Sequence, residues 1–87
     1  MTLAAACTLP TLAPGADQVR ITRNAPDVAS CSAVGNLQTP KSDLSLGNGP
    51  YVERNLRNRT VGFGGNTALV TADTLGIPTE GIAYKCP

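Results

Sequence analysis

The chain has 87 residues, the length of one domain, and its net charge of +1 argues against a general nucleic-acid binder. It contains no histidine, so the commonest general base and the commonest metal ligand are both missing. We therefore expect no conventional hydrolase triad and no metal or cofactor. With one Phe, two Tyr and no Trp, the core must be mainly aliphatic, and so small a domain gains from a covalent cross-link.

The beginning of the sequence divides into a candidate lipidation signal and a tether. Residues 1–7 end in "LAAAC", and small residues directly before a cysteine resemble the end of a bacterial lipoprotein signal, with Cys7 as the acylated residue. The usual leucine position holds Ala4, and no charged or long apolar stretch precedes it, so an ordinary N-terminus with an incidental thiol is the alternative. Residues 8–16 read "TLPTLAPGA", a composition that predicts a flexible tether.

Two strands and a long loop follow the tether. Residues 18–23 alternate apolar and polar side chains, the pattern of a half-buried strand. Residues 29–38 predict a second strand, in which Gly35 indicates a bulge or the close approach of another element. Residues 39–50 form a loop long enough to suspect a functional role, although simple mobility explains it equally well.

The second half of the chain predicts one helix and two further strands. Residues 51–63 place apolar side chains at helical spacing, and two glycines supply the stop. Residues 66–72 predict a third strand, residues 73–80 a loop or short helical turn, and residues 81–86 a fourth strand.

The order β-β-α-β-β predicts an α+β fold over residues 17–87. We expect a small mixed four-stranded sheet with one main helix on one face. The connection from the second strand through the helix to the third should be a right-handed crossover with parallel partners.

The three cysteines divide into one candidate pair and one separate residue. Cys31 and Cys86 lie in strand-like stretches, whereas Cys7 lies in the alanine-rich beginning. The small size, the aliphatic core and the position of Cys86 favour a Cys31–Cys86 disulfide, which would contribute about 4 kcal/mol by restricting the unfolded chain. Two buried free thiols in a cytosolic protein are the alternative. Three scattered cysteines without histidine argue against a zinc site.

Three stretches together resemble a family of small bacterial lipoproteins known only as a domain of unknown function. They read "VRIT…DVASCSAVGNLQ", "NLRNRTVGFGGNTALV" and "EGIAYKCP", and the likeness covers residues 17–87. The matching positions are Cys31, Val34, Gly35, Leu56, Arg57, Asn58, Arg59, Gly65, Asn66, Gly81, Ala83, Tyr84 and Cys86. Thr60 and Phe63 depart from the Ala and Leu of the family pattern.

The family is in turn distantly similar in fold to the outer-membrane lipoprotein that senses envelope stress for the Rcs phosphorelay. The resemblance implies a Cys31–Cys86 disulfide, lipidation of Cys7 and a domain that faces the periplasm. It implies no activity, and the signalling role of the Rcs sensor does not carry over, because a fold does not determine a function.

These features predict a non-catalytic envelope lipoprotein, anchored to the outer membrane by a lipid on Cys7. It would bind another envelope component: a protein, peptidoglycan or lipopolysaccharide. The candidate surface is the polar side of the helix, formed by Arg54, Asn55, Arg57, Asn58 and Arg59. Arginines in such a group can hold phosphate or carboxylate in pairs of hydrogen bonds, although most surface charge clusters only keep a helix soluble.

Two other functions need features that the sequence supports less well. An enzyme would need two of the isolated carboxylates to meet, and no motif places them together, so we expect none. The candidates are Asp27, Asp43, Asp73 and Glu80. A secreted inhibitor or immunity-type protein would insert loop 39–50 into a partner, and this remains the alternative hypothesis.

Overall fold

A computed structural model describes residues 9–45 and 47–87, so the predicted lipoprotein signal, with Cys7, lies outside the described residues. The described part of the chain forms four strands and one α-helix. They are β1 (Arg20–Thr22), β2 (Ser32–Gln38), α1 (Gly49–Gly62), β3 (Thr67–Thr74) and β4 (Ile77–Lys85). Short 3₁₀ turns at Ala16–Gln18, Ala25–Val28 and Lys41–Asp43 lie in the connections. The prediction of an α+β fold with one main helix is confirmed.

The four strands form one mixed sheet in the order β1-β3-β4-β2. β1 pairs with β3 in parallel, and β4 is antiparallel to both of its neighbours, β3 and β2. β2 precedes α1 in the chain and β3 follows it, and these two strands therefore run in the same direction. They do not pair, because β4 lies between them. The register of β2 shifts between Ala33 and Gly35, where the sequence predicts a bulge or close packing.

The predicted loop over residues 73–80 is wrong, because β3 and β4 form a tight hairpin there. β3 extends to Thr74, β4 begins at Ile77, and only Leu75 and Gly76 connect them. Both turn residues have positive φ, 56° and 77°, as a two-residue turn of the I′ kind requires. The sequence favoured a loop because Gly76 and Pro78 usually interrupt strands, but this strand continues past Pro78, near a register shift in β3.

Helix α1 covers one face of the sheet and encloses the core. The buried cluster consists of Val19, Leu37, Leu56, Ala68, Val70 and Ala83. Leu69 lies between two of these residues in β3, so its side chain points to the opposite face, where it is also buried. The connection from β1 to β2 passes between opposite edges of the sheet, and its 3₁₀ turn Ala25–Val28 contacts β3. Val28 is buried, so this connection contributes to the cover of the second face.

A disulfide joins the start of β2 to the end of β4, as predicted. The sulfurs of Cys31 and Cys86 are 2.01 Å apart and their Cα atoms 4.3 Å apart. Asn66 reinforces this junction, since its side-chain amide accepts a hydrogen bond from the backbone N–H of Cys86 (2.8 Å) and donates one to the Cys86 carbonyl (2.9 Å). We call this part of the domain the disulfide end, and the opposite part, around Leu75 and Gly76, the turn end.

Candidate functional site on helix α1

The five polar residues predicted to bind a partner all lie on α1, but they serve two different sides of the helix. Arg54, Arg57 and Asn58 contact the segment before β1, and Arg59 and Asn55 border depressions on the side of β2. The single surface expected from the sequence is therefore divided in two.

Asn58 holds the N-terminal strap, by which we mean residues 9–19. Its carbonyl Oδ1 accepts a hydrogen bond from the Ala13 N–H (2.7 Å), and its Nδ2 donates one to the Thr11 carbonyl (2.9 Å). Arg54 adds a hydrogen bond from Nη1 to the Pro10 carbonyl (3.2 Å). Asn58 and Arg54 thus bind the backbone of their own chain.

Arg57 belongs to the same side of the helix. It donates one hydrogen bond to the backbone carbonyl of Val19 and pairs with Glu53, one turn earlier, at 3.0 Å. Ala16, in the middle of the strap, is 0% exposed. Residues 9–16, for which the sequence predicts a flexible tether, therefore lie along α1 and contribute to the packed domain.

Arg59 lies on the other side of the helix, beside a group of open depressions that we call the Arg59 cleft. Three adjoining depressions, of about 470, 620 and 250 Å³, are each lined by Arg59 and Gln38. The Arg59 guanidinium donates a hydrogen bond to the Gln38 carbonyl, which uses one of its five N–H donors. This bond orients a side chain that borders all three depressions.

The Arg59 cleft offers both charges and many hydroxyl groups. Lys41 adds a second cation, and Glu80 and Asp43 add carboxylates. The remaining polar lining consists of Asn36, Thr39, Asn55, Thr71, Thr74 and Thr79. Such a surface can hydrogen-bond a polar ligand, and Arg59 can hold a carboxylate or phosphate by two parallel bonds.

The first part of loop 39–50 forms one wall of this cleft. The Thr39 backbone N–H donates to the Thr79 carbonyl (2.9 Å), and its hydroxyl donates to the Pro78 carbonyl (2.8 Å). The root of the loop therefore continues the sheet beside β4. Whether the loop enters a partner, as the inhibitor hypothesis requires, stays a prediction.

Two of the four candidate carboxylates are held by arginines at the edge formed by β1. Asp73 accepts hydrogen bonds from Arg23 at 2.7 and 3.1 Å, and these bonds hold the pKa of its carboxyl below the usual value. Asp27 pairs with Arg20 at 3.0 Å and accepts the hydroxyl hydrogen bond of Thr22. Asp27 thus binds β1 from within the β1–β2 connection, and Asp73 joins β3 to the residue that follows β1.

Two further observations concern only the described residues. Among them, no group of three or more Cys, Asp or Glu side chains is placed to hold a metal ion. Their single α-helix is too short and too polar to span a lipid bilayer.

Comparison of the chain with family models, with curated proteins and with solved structures found no match. The resemblance to small bacterial lipoproteins therefore rests on the quoted motifs and stays a prediction.

Sequence reasoning missed most of the lining of the Arg59 cleft. Gln38 and Glu80 face each other across β2 and β4, a pairing that depends on a register interrupted by the bulge before Gly35. It also missed the role of Asn66 as a clamp on Cys86. The sequence does place Asn66 between the glycines that end α1 and the apolar strand β3. In the folded chain its side chain reaches the end of β4 from that position.

Proposed function

We propose that this chain is a non-catalytic domain of the bacterial envelope that faces the periplasm and binds another envelope component through the Arg59 cleft. In this proposal a lipid on Cys7 anchors it to the outer membrane. The observation that carries the proposal is the Cys31–Cys86 disulfide, because structural disulfides form in exported proteins and are rare in the cytosol.

The Arg59 cleft supports the binding part of the proposal. Arg59 borders all three depressions of the cleft. Arg54, Arg57 and Asn58 bind the strap instead, and the two arginines border a separate depression with Leu9. The position of Arg59 is determined by the bond to Gln38, which reduces the entropy lost when a ligand binds. Nearby hydroxyls and Glu80 favour a polar ligand, as expected for peptidoglycan, for lipopolysaccharide or for a polar protein surface.

The first test is the intact mass and thiol count of the natural protein recovered from membranes. A diacyl mass on Cys7, with no other free thiol, is the expected result. An unmodified chain with three free thiols would contradict the envelope assignment and would place the chain in a reducing compartment.

The second test examines the cleft by crosslinking in envelope extracts. We expect Arg59→Ala to lose the crosslinked partner, whereas Lys85→Ala, an exposed cation at the disulfide end, should keep it. Equal loss in both variants would indicate non-specific charge binding. A partner that is retained by Arg59→Ala and crosslinks through loop 39–50 would favour the inhibitor alternative.

A further inference from the structure

The turn end carries an exposed apolar residue in a backbone conformation that disfavours it. Leu75 is 69% exposed, and its φ of 56° is positive. A leucine in this left-handed region costs about 1 kcal/mol, because its Cβ crowds the backbone. Asn or Gly would suit the first position of such a turn better. Neither burial nor turn geometry accounts for a leucine here, and strained exposed residues frequently mark functional contacts.

The start of the strap lies toward the same end of the domain. Leu9, 40% exposed, borders a depression together with Pro50, in the first turn of α1. Residues of the loop after β2 link that turn of the helix to the hairpin, since Pro40 borders one depression with Val52 and another with Thr74. The first turn of α1, the start of the strap and the hairpin turn are therefore grouped together.

The hairpin projects farther than the helix. Residues 63–66 connect the end of α1 to the start of β3, at the disulfide end. The start of α1 and the end of β3 therefore both lie toward the turn end. The eight residues of β3 span about 26 Å at the usual strand rise. The fourteen residues of α1 span about 21 Å. Among the described residues, Leu75 is consequently the most exposed large apolar side chain, and it lies at the tip of the hairpin.

The docked strap leaves little free chain between Cys7 and the domain. Two residue steps separate Cys7 from Leu9, a reach of about 7 Å even when fully extended. A free nine-residue tether, by contrast, would give an average separation of about 16 Å and no fixed direction. A lipid on Cys7 would therefore bring the bilayer surface to the turn end.

We infer that the turn end of the domain rests on a lipid bilayer, with Leu75 inserted at the headgroup level and Asn58 and Arg54 fixing the orientation through the strap. The inference rests on the proposed lipid anchor for its geometry and on Leu75 for the contact itself. The nearby charges are mixed: Lys41 and Arg54 lie beside Asp43 and Glu53, and Arg23 pairs with Asp73, two residues before Leu75. The contact is therefore apolar rather than electrostatic.

Single tryptophans test this contact, because the chain has no natural Trp. Acylated full-length Leu75→Trp and Ser30→Trp would be placed in vesicles of phosphatidylethanolamine and phosphatidylglycerol, with and without brominated acyl chains. Ser30 is an exposed residue at the disulfide end and serves as the matched control. We expect a blue shift and bromine quenching for Leu75→Trp and neither for Ser30→Trp.

Asn58→Ala, combined with Leu75→Trp, tests the strap. Release of the strap should reduce quenching of the tryptophan, because the domain gains freedom to leave the surface. Equal quenching with and without Asn58 would overturn the orienting role of the strap.

The remaining outcomes separate this inference from the proposed function. If Cys7 carries a lipid in native membranes but neither tryptophan is quenched, or both are quenched equally, the inference fails and the anchor stands. A blue shift of Leu75→Trp that depends on protein concentration without vesicles would identify a contact between copies and also overturn it.

If Cys7 carries no lipid, the anchor fails, and binding of the unacylated full chain to the same vesicles decides the inference. Leu75→Asn should then weaken binding about tenfold, the loss expected when one leucine is no longer buried. No binding, or equal binding by both chains, would overturn the inference.

Discussion

The disulfide end and the turn end of the same sheet differ in how closely their neighbours constrain each residue. At the disulfide end, Gly65 has no room for a side chain, Asn66 is hydrogen-bonded to Cys86, and the chain is cross-linked. At the turn end, Leu75 is exposed in an unfavourable conformation, and the Arg59 cleft extends as far as Thr74, next to the hairpin turn. Substitutions at the first end should cost stability, and substitutions at the second should change binding with little loss of stability.

The disulfide should give the largest effect. Replacing both Cys31 and Cys86 with Ala should lower the free energy of unfolding by about 4 kcal/mol, because the unfolded chain regains the entropy of a closed loop of 55 residues. Urea unfolding measures the change. Cys7→Ala is the control and should leave the midpoint unchanged. An equal midpoint for the double variant and the wild type would show that the disulfide end does not depend on its cross-link.

A pair of glycines tests close packing near the same end. A Cβ at Gly65 would lie 2.7 Å from the Tyr84 carbonyl oxygen, so Gly65→Ala must displace backbone and should cost about 2 kcal/mol. A Cβ at Gly62, in the last turn of α1, would meet no other part of the domain within 4 Å, and Gly62→Ala should stabilise the helix by about 0.5 kcal/mol. Thermal or urea unfolding compares them, and similar effects of the two substitutions would argue against crowding at Gly65.

At the turn end, a substitution should increase stability. Leu75→Asn should raise the free energy of unfolding by about 1 kcal/mol, because asparagine tolerates the left-handed conformation. Leu75→Ala separates the two possible reasons: it removes the exposed apolar side chain but keeps the Cβ. If Leu75→Ala stabilised the domain as much as Leu75→Asn does, the destabilising effect of Leu75 would come from its exposed side chain and not from its backbone conformation.

The smallest effect concerns the ion pair of Arg23 and Asp73, whose hydrogen bond lowers the pKa of Asp73. A lowered pKa stabilises the fold above the unfolded value, near pH 3.9, and this contribution disappears as the pH falls through the folded value. Because the pair is exposed, we expect only a few tenths of a kcal/mol. Unfolding midpoints between about pH 6 and pH 3 should fall less in Asp73→Asn than in wild type. Identical pH profiles would show that the pair contributes nothing.

Much of the fold was predictable because local patterns agreed with the tertiary structure. The apolar spacing of α1 and the alternation around Ile21 each depended on a few neighbouring residues. The pairing of Cys31 with Cys86 was predicted from the small size of the domain, its aliphatic core and the position of Cys86. The β3–β4 hairpin was missed for the opposite reason. Its turn lacks the usual Asn-Gly or Asp-Gly signal, since Leu75 occupies a position where leucine is disfavoured.

The candidate site could be predicted only in part. Sequence spacing placed Arg54, Arg57, Asn58 and Arg59 on one polar helix, but it could not tell which of them would be used by the chain itself. That division depends on the path of the strap, and proline-rich segments have no periodic pattern from which a path can be inferred.

The class of the domain, its aliphatic core and its main helix followed from the sequence, because composition and periodicity act locally. The cross-link followed from the small size of the domain, its aliphatic core and the position of Cys86. The folded chain alone shows which polar residues of α1 bind the strap and which border the cleft. It also shows which strand lies beside which, and that an exposed leucine forms the tip of the hairpin. Those properties depend on the insertion of β4 between β2 and β3 and on the docking of the strap along α1. Both bring together residues far apart in the chain, where local patterns carry no information.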